Sequence, residues 1–414
     1  MLLLLLSAAL AGAPQDTVSL TLEDAVRRAL AVSPQVLAAE GAVRAPRGER
    51  AEEIWPFPSN PELEFGRARR DAPGGTTFDR GWVLTQEIEI AGQNFVRAGA
   101  AGKRVRAAEE LIGDARRLTA LEARDSYVTL VLAERRAALT DSAAAFAERL
   151  AAFARRQLEA GEINRLAYNA AVLEAARQRS VADRARADLE AAAADLARVL
   201  DLPPTSVPRT APLPVLPSVR LDTIAVFAVA RQRRPDLAAA DLVARAASQD
   251  VTAARLGLVP NLLLGGVLGQ EEGTDDLLGF SIGLSIPLFH RQQAATGVAQ
   301  AEAATARAGY AATERSVLAE VRAAVERFRR AVQAEERFAG EVLQAATENV
   351  TLTDRAFAEG KVDITDVVVL RTAAVNAQLE YLTVRGDAYA AWFELAAALA
   401  VEPQDLTDLS GARQ

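Results

Sequence analysis

Leu278-Gly279-Phe280-Ser281-Ile282-Gly283-Leu284-Ser285-Ile286-Pro287-Leu288 is the stretch on which the reading of this chain turns. Leu278, Phe280, Ile282, Leu284, Ile286 and Leu288 alternate with small or polar residues, a strict period of two over eleven positions. Successive side chains of a strand point to opposite faces, so this segment presents one wholly apolar face. A tilted strand of about 9–11 residues is what a bilayer crossing requires. The six apolar side chains are therefore expected to form a lipid-facing strand.

An earlier segment behaves similarly. Trp82, Leu84, Ile88 and Ile90 share one face, with Gln86 the exception, while Thr85, Glu87 and Glu89 lie on the other with Val83. Carboxylates opposite an apolar row fit a water-filled lumen with lipid outside. Residues 61–69 and 261–270 supply weaker partner strands, joined through polar loops at 70–77 and 271–276. The expected hairpins thus occupy about 60–91 and about 259–289. Four strands cannot close a barrel, since small barrels need about eight. An open strand edge in lipid leaves backbone groups unsatisfied, so several copies must combine.

The rest of the chain is one unit written twice. Leu22-Glu23-Asp24-Ala25 is echoed by Leu221-Asp222-Thr223-Ile224, and Ser33-Pro34-Gln35-Val36 by Arg234-Pro235-Asp236-Leu237. Gly161 and Gly360 correspond at an offset of 199 (360 − 161), as do Leu200 and Leu399. The Pro-rich connector 203–217 cannot be helical. Boundaries follow: an apolar export signal at 1–13, a first repeat at 14–202, the linker, a second repeat at 218–403 and a tail at 404–414.

Within a repeat the pattern predicts a short helix, a second helix, the hairpin, a very long helix, a glycine turn and a return helix. The expected spans are 21–31, 34–54, 95–158 and up to about 200, then 221–233, 236–256, 291–358 and 364–400. At 1.5 Å per residue a long stretch would reach about 95–100 Å, so packing must come from neighbouring helices.

Composition narrows the function. The 55 acidic residues exceed the 47 basic ones, a net charge of −8 that excludes a nucleic-acid footprint. There is no Cys, and His290 is the only His, so no histidine acid–base constellation, soft metal site or cofactor site is expected. His290 reads as an interfacial residue. Gly161 and Gly360 should reverse the chain between antiparallel helices. Around these turns Asp354, Asp363 and Asp366 are candidate entrance carboxylates, which symmetry would replicate into a ring favouring cations.

Three local patterns carry a resemblance. Asn60-Pro61-Glu62-Leu63-Glu64-Phe65, Gln86-Glu87-Ile88-Glu89-Ile90-Ala91-Gly92 and Ser285-Ile286-Pro287-Leu288-Phe289, set in the duplicated layout, resemble the TolC outer-membrane efflux family, nearest its CzcC-like metal-efflux branch. The first turn departs from the pattern, with Ala167 where the second has Asp366.

The resemblance implies a mainly α chain with a membrane β-barrel portion. Three chains would contribute four strands each to a twelve-stranded barrel, above a long periplasmic α-helical barrel. It also implies an outer-membrane location in a Gram-negative-type cell. The implied partners are a periplasmic adaptor (membrane fusion) protein and an inner-membrane pump of the RND type. Arg165, Leu166 and Ile364 are the implied adaptor contacts. The implied activity is passive exit of small molecules or metal cations, without catalysis. The competing reading is a soluble periplasmic coiled-coil scaffold or adaptor with small packed sheets.

Overall fold

The computed structural model describes residues 17–203, 205–217, 223–359 and 361–410. The expected signal at 1–13, Gly360 and the last residues of the tail lie outside the described residues. The first half runs β1 (Thr17–Leu20), α1 (Leu22–Val32), α2 (Pro34–Ala42), α3 (Arg44–Glu53), β2 (Glu62–Ala72), β3 (Gly75–Ile88), α4 (Gln93–Glu159) and α5 (Arg165–Val199). The linker holds β4 (Val207–Thr210). The second half continues with α6 (Thr223–Arg233), α7 (Pro235–Leu256), β5 (Leu262–Glu271), β6 (Asp275–Leu284), α8 (Gln293–Arg337), α9 (Leu343–Ala358) and α10 (Ile364–Leu399).

The element order repeats as expected, but local chemistry makes the copies differ. The helix expected over 34–54 is two helices, α2 and α3. Pro46 stands in the first turn of α3 and has no N–H to offer the Ala42 carbonyl, so the preceding helix ends there. Its counterpart α7 has no proline between Pro235 and Pro260 and runs 22 residues unbroken. The first long helix, α4, is continuous over 67 residues. The second, expected over 291–358, is split by a π-helical segment at Phe338–Val342 containing Gly340. Such a segment absorbs one extra residue in a helix.

The chain divides into two compact units, and each draws on both halves. One comprises Met1–Leu37, Ala115–Arg234 and Val317–Gln414; the other comprises Ala38–Asp114 and Pro235–Ser316.

In the first unit α1 starts on a capping box, Thr21 accepting from the Asp24 N–H at 3.1 Å and Asp24 accepting from the Thr21 N–H at 3.4 Å. Its core holds Tyr127, Leu130, Leu196, Leu200, Tyr389, Phe393, Leu395 and Leu399, all essentially inaccessible. A parallel two-stranded sheet, β1 with β4, pairs Thr17 with Val207 through Leu20 with Thr210. Sequence patterning missed these strands, since four residues including Pro208 carry no alternation. The linker is fixed by buried aromatics. The Tyr127 hydroxyl lies 3.0 Å from the Leu20 and Ala211 carbonyls, and Tyr389 donates to the Pro214 carbonyl. Buried phenols need such partners.

The second unit holds a four-stranded antiparallel sheet in the order β2-β3-β5-β6, so the two hairpins pair with each other through β3 and β5. The strands run further into the turns than expected. A two-residue turn, Pro73-Gly74, joins β2 to β3, and residues 272–274 join β5 to β6. Conversely, the fourth strand ends at Leu284 and not at Leu288. Its partner begins at Leu262, and Pro287 has no N–H for a further rung.

Candidate functional site

The register sorts the sheet into two unlike faces. Leu63 and Phe65 pair with Leu84 and Trp82; these pair with Gly266 and Leu268, which pair with Phe280 and Leu278. Ile88, Leu262 and Leu284 continue the same face, as do Leu264 and Ile282. The result is an apolar belt across four strands. Its outermost members are open to the surroundings: Leu278 is 81% exposed, Phe280 86% and Ile282 66%. Leu284, Ile286 and Leu288 are exposed too, the last two beyond the strand end. An apolar patch of this extent requires a partner or a membrane.

The one polar member, Gln86, turns its amide to the Ser59 and Glu87 carbonyls at 2.9 and 2.8 Å. The opposite face carries Glu62, Glu64, Thr85, Glu87, Ser281 and a run of glycines. At Gly265 an added Cβ would stand 2.3 Å from the Ser281 Oγ, so any other residue there would make the Ser281 hydroxyl turn away. Among the described residues, β2 and β6 each leave one edge unpaired. No described helix is long and apolar enough to cross a membrane.

Where β3 ends, a polar network anchors the sheet within its unit. Arg97 holds Glu89 with two bonds of 2.9 Å and Glu53 with one of 2.5 Å. Such paired bonds are the strong form of charged hydrogen bond. Burial lowers the Arg97 pKa, yet the bonds to the two carboxylates outweigh it and the net shift is upward. Asn261 donates to Glu87 at 2.9 Å and accepts from the buried Gln93 at 3.3 Å. Reasoning from the sequence had Glu87 and Glu89 in a strand facing water, but missed their partners. The available signal was an Arg eight residues after a Glu at the strand exit.

In the other unit the helix turns are built alike. Gly161 has φ +78, the Gly161 N–H bonds to the Leu158 carbonyl and the Glu162 N–H to the Gln157 carbonyl at 2.9 Å. This is the Schellman arrangement that favours glycine. In the second turn the Lys361 N–H bonds to the Ala356 carbonyl at 2.8 Å, the matching long bridge, although Gly360 itself lies outside the described residues. Each return helix is then capped: Asn164 accepts from the Ala167 N–H and Asp363 from the Asp366 N–H, both at 2.8 Å.

These contacts redistribute the expected site residues. Asp363 is a helix cap, and both Asp354 carboxylate oxygens accept from one Arg371 nitrogen, at 2.8 and 2.9 Å, so neither carboxylate is unengaged. Asp366 is exposed and makes no ion pair among the described residues. Arg165 and Leu166 are exposed, Leu166 at 78%. Ile364 is 3% exposed, packed with Leu150, Ala154, Ala171 and Val367, which removes it from the surface. Its place as first residue of α10, on the face against α4 and α5, is the physical reason.

The sequence model described as "Outer membrane efflux protein" matches residues 226–401. The second repeat of the chain thus resembles this family in sequence. No curated protein matches the chain. Solved structures add the fold for nearly the whole length. CusC, described through its conformational changes on folding and transmembrane channel formation, is 18% identical with TM-score 0.78, covering 92% of each chain. The Campylobacter jejuni CmeC outer membrane channel is 15% identical with TM-score 0.77, covering 97% of this chain and 94% of its own. The open-state Neisseria gonorrhoeae MtrE channel is 18% identical with TM-score 0.74, covering 92% and 89%. The fold of the chain is therefore that of the TolC-type outer-membrane channels.

Proposed function

We infer that the protein is the outer-membrane exit duct of a tripartite efflux system, its helical part in the periplasm of a Gram-negative-type cell. The observation that carries this is the four-stranded sheet, apolar on one face, carboxylate- and glycine-lined on the other, with both edges unpaired. Edges left open in hydrocarbon are untenable. Three copies would supply twelve strands and close them, and the family resemblance favours three. A periplasmic adaptor would engage the turns beside Arg165 and Leu166, and an inner-membrane pump of the RND type would supply the energy. Metal cations are the favoured cargo, on the CzcC-like motif at residues 86–92 and the carboxylates of the inner face.

The test is to isolate the protein from a Gram-negative host and image the detergent-extracted particle. Outer-membrane fractionation with three-fold end views is the expected result. A particle that stays in the soluble fraction as a monomer would favour the periplasmic scaffold instead.

A further inference from the structure

We propose that Arg67 and Arg80, at the hairpin end of the apolar belt, form a binding site for the phosphate groups of the phosphorylated glycolipid in the outer leaflet. The inference rests on the membrane reading given above, which turns the β2–β3 hairpin outward because α3 and α4 leave the sheet at its other end.

The register sets the two guanidinium groups directly opposite each other, on the apolar face of the sheet. Like charges in direct cross-strand pairing are unfavourable, and no carboxylate among the described residues neutralises them. Arg67 lies over the Phe78 ring at 4.5 Å, and Arg80 donates to the neutral Gln270 at 2.9 Å. Neither forms an ion pair among the described residues. Arg70, on the opposite face, shows the contrast: it pairs with Asp79 at 2.9 Å and Glu272 at 3.6 Å. Arg69 shares the outer face but is held by Asp71 at 3.0 Å. On the second hairpin the same face carries Gln270 and Asp276.

Position supplies the ligand class. The rung before the Arg pair is Phe65 with Trp82, ring centroids 4.7 Å apart. Aromatic residues mark the boundary between hydrocarbon and headgroups. Two residues further along a strand is about 7 Å, which brings the guanidinium groups to headgroup depth. Arginine presents a planar fork matched to phosphate oxygens. An anionic lipid would thus lay its acyl chains on Leu278, Phe280 and their neighbours and its phosphates between Arg67 and Arg80.

The test is native mass spectrometry of the full-length protein in detergent, titrated with bis-phosphorylated lipid A and with its dephosphorylated form. The parent should retain the phosphorylated lipid preferentially, and Arg67→Gln with Arg80→Gln should weaken retention at least about tenfold. Arg67→Lys with Arg80→Lys keeps the charge without the fork and should fall between. Inorganic phosphate at millimolar concentration should not displace the lipid; displacement would identify a free-anion site and overturn the lipid assignment. Equal retention by parent and Gln variant, or of both lipids, would also overturn it. Outer-membrane fractionation of each variant separates the two claims. A Gln variant that inserts normally but loses lipid supports the site, whereas a parent absent from the membrane defeats the duct reading and the site together.

Discussion

The two sequence repeats share an element order but not a local build. The first half breaks its second helix at Pro46 and then runs 67 residues without interruption; the second half does the reverse, with a continuous α7 and a π segment at Phe338–Val342. The shared features lie where the chain must reverse or be anchored. Both turns have the long Schellman bond and an Asn or Asp cap, and Leu196 and Leu200 match Leu395 and Leu399, all fully buried. Duplication has kept the positions that fix topology and relaxed those that only shape a helix.

The largest test of this equivalence is in the core. Leu196→Ala and Leu395→Ala should each destabilise by about 3 kcal/mol, read from denaturant unfolding in detergent. Costs that differ several-fold would break the symmetry. At the turns, Gly161→Ala forces a Cβ into φ +78 and should cost about 1–2 kcal/mol. Gly360→Ala should match it, and a neutral outcome would show that the second turn is not the same motif.

The carboxylates sharpen the contrast further. Asp125 is half-buried with its Oδ1 inaccessible and unpartnered among the described residues, and burial, then the charge of Glu394, pushes its pKa up to about 6, against a smaller downward pull from Arg124. The first-half counterpart of Glu394, Asp195, is engaged by Ser126 and Arg198, as Glu394 is by Arg327 at 3.2 Å. A carboxyl raised in the folded state binds its proton more tightly there than when unfolded. Its stability contribution is therefore fully present below about pH 4 and is lost as pH rises towards 6. Asp125→Asn should stabilise by about 1 kcal/mol at pH 7, after allowing for screening by water, and should change nothing below pH 4. A pH-independent effect would contradict that assignment.

Capping gives a similar magnitude. Asn164→Ala and Asp363→Ala should each cost about 1 kcal/mol, while Asp363→Asn should preserve stability. A change in cation selectivity for Asp363→Asn would restore an entrance role to that carboxylate. The smallest effect belongs to Asp366→Ala, within about 0.5 kcal/mol, since Ala167 already occupies the corresponding place.

Most of the fold was legible because its signals were periodic. Alternation from Leu278 to Leu284 marked a strand, and the repeated Gly161 and Gly360 marked the reversals. What was not legible depended on contacts distant in sequence. The pairing of β1 with β4 is nearly two hundred residues apart and driven by Tyr127 and Tyr389, which no local pattern announces. Ile364 reads as an accessible tip residue in sequence, yet tertiary packing against Leu150 and Ala154 buries it. Asp354 and Asp363 look like unengaged charges until Arg371 and the Asp366 N–H are placed beside them.

The central claim is that one face of the β2–β3–β5–β6 sheet meets lipid and the other meets water. Since the chain has no Cys, single spin labels can be introduced at residues 278–283 and read in reconstituted vesicles for collision with oxygen and with a water-soluble nickel complex. Labels at Leu278, Phe280 and Ile282 should favour oxygen, and those at Gly279, Ser281 and Gly283 the nickel complex, a period of two. Uniform nickel accessibility along the strand, with no alternation, would contradict the membrane sheet.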